Sequence, residues 1–235
     1  MSIEERIAAL DWPRLTAALN AEGVARAAPL LQPEECEDLA GLYGEPDRFR
    51  SRVVMARHGF GRGEYQYFSY PLPNLVAGLR TALYPPLAKV ANDWAKRLGA
   101  ATRYPDSLAQ MLDRCHQAGQ TRPTSLLLSY QAGDYNCLHQ DLYGEHAFPL
   151  QAVFLLSDPD RDFEGGEFVL VEQRPRMQSR PRVFQLKQGE ALIFAVNHRP
   201  VQGTKGVYRT ALRHGVSTVT RGRRMTAGII FHDAT

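Results

Sequence analysis

The chain has 235 residues, with 28 Lys and Arg against 25 Asp and Glu, 44% hydrophobic and 23% charged residues, 19 Gly and 15 Pro. That composition builds one large domain with a real core, and it excludes a disordered chain, a collagen-like repeat and a string of several domains. No apolar run approaches the ~18 residues of a membrane span, and MSIEERIAALDW is acidic and interrupted where a signal peptide would be basic and then apolar. The three cysteines, Cys36, Cys115 and Cys137, show no paired spacing, so a soluble cytoplasmic protein with reduced core thiols is expected.

In chain order, residues 1–120 read as a mainly helical support. Ile3, Ile7 and Leu10 mark one short helix, and Trp12, Leu15 and Leu19, between Asp11 and Gly23, mark a second. A third runs from Pro33 to a stop at Gly44, with Glu34, Glu35, Glu37 and Asp38 loading its first turns as the helix dipole prefers. From Leu75 to Leu98 apolar residues recur every three or four positions, which predicts a broad core helix kinked or split at Pro85-Pro86. A last helix is predicted over Pro105 to His116. Between the third and fourth helices, residues 56–73 combine Gly59, Gly61 and Gly63 with Tyr65, Tyr67, Phe68 and Tyr70. Two readings stay open there: a hairpin burying alternate rings, or a lid presenting a ring to a planar substrate.

After Thr121 the period changes to short strands: SLLLSY, FPLQAVFLLS, GEFVLVEQ, RVFQLKQ, EALIFAV, LRHGVSTVT and RMTAGIIFH, separated by Gly, Pro or Asp. Helices followed by many short strands predict an α+β fold, with helices bracing an antiparallel jelly roll over residues 121–235. Residues 173–224 hold twelve Lys and Arg and one acid, a net of +11, so the rest of a +3 chain carries −8. Such an excess favours an anionic partner, unless the arginines are paired with the acidic half of the chain.

The sharpest local signal is Tyr130-Gln-Ala-Gly-Asp-Tyr-Asn-Cys-Leu-His139-Gln140-Asp141. On a strand, positions i and i+2 face the same way, so His139 and Asp141 can offer a nitrogen and an oxygen to one metal ion. A third ligand is needed, and the candidates are His198 and His214. His214 lies in LRHGVSTVTRGRRMTAGIIF, read as a strand, a turn at Arg221-Gly222 and a return strand that places Arg224 beside the histidine, with Arg223 pointing away. Two His and one carboxylate on one face of a metal leave sites open for a chelating 2-oxo acid and O₂, and Arg224 suits a carboxylate held there. Cys137 is expected to pack as a small apolar residue; His146 and His232 read as structural or surface residues, and His58 and His116 have no role.

With these motifs the chain resembles the 2-oxoglutarate/Fe(II)-dependent dioxygenases, over roughly residues 121–235. The resemblance implies a double-stranded β-helix, Fe(II) on His139, Asp141 and His214, and Arg224 on the distal carboxylate of 2-oxoglutarate, with O₂ as the second cosubstrate. FEGGEFVLVEQ and QGEALIF also resemble strands of that family. Tyr130, nine residues before His139, resembles the tyrosine that touches 2-oxoglutarate in the alkylated-DNA-repair (AlkB-like) branch. Two features depart from that branch: the basic stretch Asn197 to Tyr208 is extra, and Thr226 stands where an asparagine is usual. The resemblance implies C–H hydroxylation leading to oxidative demethylation of alkylated DNA or RNA bound by the basic 173–224 segment. The competing readings are a hydroxylase of protein side chains (prolyl-type) or of small molecules, and a jelly-roll binding module without catalysis.

Overall fold

The computed structural model describes all 235 residues. Two helices open the chain, α1 (Ile3–Ala8) and α2 (Trp12–Glu22). The Ser2 hydroxyl accepts from the Glu5 amide at 3.2 Å while the Glu5 carboxylate accepts from the Ser2 amide at 2.8 Å, a reciprocal cap that satisfies two otherwise orphaned donors of α1. Gly23 ends α2 in the left-handed region, φ 73°, where a Cβ would press to 2.8 Å from the side chains of Arg199 and Leu212. There follow β1 (Val24–Ala27), α3 (Pro33–Gly41), β2 (Phe49–Val54), β3 (Gly61–Arg62), β4 (Glu64–Phe68), α4 (Asn74–Arg97) and α5 (Leu108–Gln117).

The second half is all strand: β5 (Leu126–Gln131), β6 (Tyr135–His139), β7 (Leu150–Leu155), β8 (Phe163–Gly165), β9 (Phe168–Gln173), β10 (Arg180–Phe184), β11 (Ala191–Ala195), β12 (His198–Gly203), β13 (Gly206–Val216) and β14 (Val219–Ile230). Every pairing is antiparallel. The major sheet runs β1-β11-β7-β14-β5-β4-β2, with β8 on β14; the minor sheet runs β10-β9-β13-β6-β3, with β12 on β13. The sheets meet face to face, as the rings of Phe168 on β9 and Phe194 on β11 show, 4.8 Å apart. This is the helix-braced antiparallel jelly roll that the strand pattern predicts, and the double-stranded β-helix that the resemblance implies.

Four local expectations differ from the structure. The helix from Leu75 is not split: α4 runs unbroken through Pro85 and Pro86, because Leu83, Tyr84, Leu87 and Ala88 on either side are all buried and their packing outweighs the missing hydrogen bonds. Residues 56–73 are neither a free loop nor an isolated hairpin. They supply β3 to the minor sheet and β4 to the major sheet, with Tyr65 and Tyr67 opposite Leu128 and Leu126 of β5. The first 120 residues thus add four strands to the two sheets, whose identity comes from pairing rather than from local propensity.

The third difference bears on the site. Arg221-Gly222 is no turn: the chain turns at Ser217-Thr218, and β13 and β14 go to opposite sheets instead of forming a hairpin. Gly222 lies inside β14 at φ 74°, opposite Phe163, where a Cβ would sit 1.9 Å from the carbonyl oxygen of Asp162. The glycine serves a close strand approach. The fourth is Cys137, which is exposed, whereas Cys36 and Cys115 are buried; β6 is covered on one side only by the two-residue β3. No helix is long and apolar enough to cross a membrane.

The C-terminal segment fastens the helices to the major sheet. Arg80 of α4 is buried; it donates to the Ile230 carbonyl at 2.7 Å and pairs with the fully buried Asp233 at 2.7 Å. Asp233 also accepts from the Tyr70 hydroxyl at 2.9 Å and lies 2.9 Å from His116 Nε2 on α5. Removing one member of a buried pair strands the other charge. Asp233→Ala is expected to lower the unfolding free energy by about 3–5 kcal/mol in urea titration; a loss under about 1 kcal/mol would show that the pair holds nothing. Beside it, His232 accepts the Phe148 amide on Nδ1 at 3.1 Å, and burial, aided by the Arg80 charge, lowers its pKa to about 4. A buried neutral imidazole stabilises the fold above its unfolded pKa, and that contribution drains as pH falls from about 6.5 to about 4. It amounts to about 3 kcal/mol at 1.4 kcal/mol per unit. His232→Gln is expected to flatten this part of the stability–pH curve, as read by chemical denaturation at pH 7 and pH 4.

Candidate metal centre

His139 is the last residue of β6, and His214 stands directly opposite it on β13. Register therefore delivers two imidazoles to one face of the minor sheet, with ring centroids 4.2 Å apart. Asp141 follows in the loop beyond β6. His139 Nε2 lies 3.5 Å from Asp141 Oδ1, and His214 Nε2 lies 3.3 Å from Asp141 Oδ2. Two ligands about 2.1 Å from one ion can be at most about 4.2 Å apart, so these separations suit a shared cation. His139, Asp141 and His214 form a group whose ligand atoms all lie within 4.8 Å of one another. His198 is not part of it: it sits half-buried on β12, opposite Ala211.

The protonation pattern also suits a cation. His139 Nδ1 is 2.8 Å from the Cys137 carbonyl oxygen, which can only accept, so Nδ1 carries a proton and Nε2 is the nitrogen turned toward Asp141. Burial pushes the Asp141 carboxyl up, but hydrogen bonding and charge from His214, then the His139 charge and the Gln151 amide, outweigh it and hold the group well below the usual carboxylate range. Burial, and secondarily the neighbouring His139, lower the pKa of His214, whose ring lies against Phe168 and Phe194. Asp141 thus places one negative charge beside the Nε2 atoms of the two histidines.

Arg224 and Tyr130 reach the same cavity from the major sheet, where they are cross-strand partners on β14 and β5. The Arg224 guanidinium is 5.7 Å from the Tyr130 ring centroid, and its Nη1 is buried with no hydrogen-bond partner. Burial lowers the pKa of Arg224 to about 10, with the Tyr130 and Glu167 charges opposing, so it is cationic at neutral pH. The Tyr130 hydroxyl accepts from Asn136 Nδ2 at 3.3 Å, and burial raises its pKa, leaving its own proton to donate. Arg223 turns to the opposite face, as strand alternation predicts, and donates to the Ser129 hydroxyl at 3.0 Å.

The cavity holds about 330 Å³, and Leu126, Leu128, Phe168 and Ile230 among others give it an apolar lining. Sequence reasoning missed two polar residues in it. Tyr143 donates to Asp141 Oδ1 at 2.8 Å, and Gln151 Nε2 donates to Asp141 Oδ2 at 2.9 Å. A lone glutamine inside the apolar run FPLQAVFLL was the signal for the second. The basic segment 173–224 is not one continuous face. Arg174, Arg182 and Arg199 surround Glu172, Arg221 pairs with Glu164, and Arg224 faces the cavity. Arg176, Arg180, Lys187, Lys205, Arg209 and Arg213 remain exposed.

Residues 63–234 match the model of a family described as an oxygenase, catalysing oxidative methylation of damaged DNA. Uncharacterized proteins from Mycobacterium tuberculosis strains CDC 1551 / Oshkosh and H37Rv are each 51% identical over 223 residues, which is 95% of this chain and 91% of theirs. Among solved structures, an oxidoreductase of the 2OG-Fe(II) oxygenase family from Burkholderia pseudomallei aligns with a TM-score of 0.56 at 16% identity, covering 95% of this chain and 92% of that one. A prolyl-4-hydroxylase from Pseudomonas putida aligns with a TM-score of 0.54 at 15% identity, over 95% of this chain and 99% of that one. At these identities the structural likeness is one of fold.

Proposed function

The chain belongs to the 2-oxoglutarate/Fe(II)-dependent oxygenases, and we propose that His139, Asp141 and His214 hold its iron while Arg224 and Tyr130 receive 2-oxoglutarate. The observation that carries this reading is the convergence, in one apolar cavity, of three ligand atoms from the minor sheet side and an unpartnered buried guanidinium from the major sheet. When bound there, Fe(II), 2-oxoglutarate and O₂ supply the oxidising chemistry that hydroxylates a substrate C–H bond.

The protein's part is binding, orientation and exclusion of water. Arg224 offers a carboxylate a charge-assisted hydrogen bond and in return loses the cost of a buried orphan donor. Tyr130 adds a phenolic donor beside it. The two histidines offer their Nε2 atoms, and Asp141 supplies the single negative charge. Leu126, Leu128 and Ile230 keep the cavity wall apolar, so a reactive centre formed there meets the substrate rather than bulk water.

For the substrate we favour an alkylated base in DNA or RNA, hydroxylated on its N-alkyl carbon, with the alkyl group then lost as an aldehyde. The family description and the exposed cations Arg176, Arg180, Lys205, Arg209 and Arg213 support this reading. His139→Ala is expected to abolish succinate formation while leaving the circular dichroism spectrum unchanged. Arg224→Met is expected to raise the KM for 2-oxoglutarate roughly 10- to 100-fold, the loss of one charge-assisted bond of about 1.5–3 kcal/mol. Formaldehyde released from a methylated single-stranded oligonucleotide, falling as salt rises, supports the nucleic-acid substrate. Turnover confined to a proline-containing peptide or a small metabolite would replace it.

A further inference from the structure

We infer that Tyr143 and Gln151 are positioning residues that fix the carboxylate of Asp141, and that Tyr67 acts on that carboxylate through Tyr143. The inference rests on the reading of Asp141 as an iron ligand and goes beyond it. His139 and His214 are oriented by strand register, but β6 ends at His139, so no ladder hydrogen bond sets the direction of Asp141. Its orientation comes from side chains, one donor to each oxygen: the Tyr143 hydroxyl on Oδ1 at 2.8 Å and the Gln151 amide on Oδ2 at 2.9 Å.

Both donors are themselves held. Gln151 is buried on β7, in register with Phe194 of β11 and Ile230 of β14, so its direction is that of a central strand of the major sheet. Tyr143 lies in the loop after Asp141, where the buried Gln120 donates to its carbonyl oxygen at 3.2 Å. The Tyr143 hydroxyl in turn accepts from the Tyr67 hydroxyl at 3.0 Å, and the two rings meet edge to face with centroids 6.3 Å apart. A hydroxyl that accepts one hydrogen bond donates a stronger one. Tyr67 lies on β4 and lines the cavity wall, edge to face with Tyr65. Two consecutive hydrogen bonds therefore join the cavity wall to Asp141 Oδ1. Partners that orient metal ligands are commonly worth 10- to 100-fold in metal affinity.

Mn(II) binding followed by electron paramagnetic resonance, on the full chain with its melting temperature recorded, tests this without reference to turnover. Tyr143→Phe, which removes one oxygen, is expected to weaken Mn(II) binding roughly 10- to 100-fold, and Gln151→Met to do the same. Tyr67→Phe is expected to give a smaller loss, which disappears in the Tyr143→Phe background because its path runs through that hydroxyl. Folded Tyr143→Phe and Gln151→Met proteins that bind Mn(II) within twofold of the wild type would overturn the clamp. Equal losses from Tyr67→Phe in both backgrounds would overturn the relay alone. If Tyr143→Phe does not fold, Gln151→Met decides the clamp. A wild-type chain that takes up no Mn(II) would instead overturn the iron site, and the clamp with it.

Discussion

The structure depends on keeping the carboxylate of Asp141 ionised in a largely apolar cavity between two imidazoles. Burying a charge is expensive, and Asp141 is stabilised only because His214, His139, Gln151 and Tyr143 surround it with donors and positive potential. A cation shared with the imidazoles would satisfy the same groups more fully, which is why the arrangement reads as a metal centre rather than as a stray ion pair. On the other side of the cavity Arg224 presents the complementary case, a buried cation with a donor unspent. Asp141 and Arg224, one anionic and one cationic, stand on opposite walls of the same cavity.

What brings those ends together is the crossing between sheets at Ser217-Thr218. β13 carries His214 in the minor sheet, and the chain then crosses so that β14 carries Arg224 in the major sheet. Had the two strands paired as a hairpin, histidine and arginine would share one wall and the space between them would be lost. Residues from the first half complete the enclosure: β3 covers part of β6, and β4 brings Tyr65 and Tyr67 to the wall beside β5. The helices act at one remove, through Arg80 and Asp233, by holding the end of β14 against α4.

The charge pattern illustrates where reading along the chain loses information. Twelve basic residues against one acid in 173–224 is a true count, yet Arg174 and Arg199 are largely spent on Glu172, Arg182 on Glu22, Arg221 on Glu164, and Arg224 on the cavity. Net charge over a segment does not report which side chains face solvent. The surface available to a polyanion is therefore smaller than the linear count implies, and it consists of the seven residues without an acidic partner: Arg176, Arg180, Lys187, Lys205, Arg209, Arg213 and Arg223.

The amino-acid sequence by itself determined the class of fold and picked out the candidate site residues that the structure brings to one cavity. Helical period gives way to strand period near residue 121, and His139, Asp141, His214, Arg224 and Tyr130 stand in an order that few other chemistries require, because ligand type and i, i+2 alternation are local properties. Only the tertiary structure decided that α4 passes through two prolines, that Gly222 serves a close approach rather than a turn, that β13 and β14 part company, and that Tyr143 and Gln151 converge on Asp141. Each of these depends on how strands and loops pack in three dimensions, whether the partner is near in sequence, as Tyr143 is to Asp141, or far, as Asp162 is from Gly222. Proline cost, glycine φ and a polar side chain in an apolar run acquire their meaning from what packs against them, and no local pattern records that.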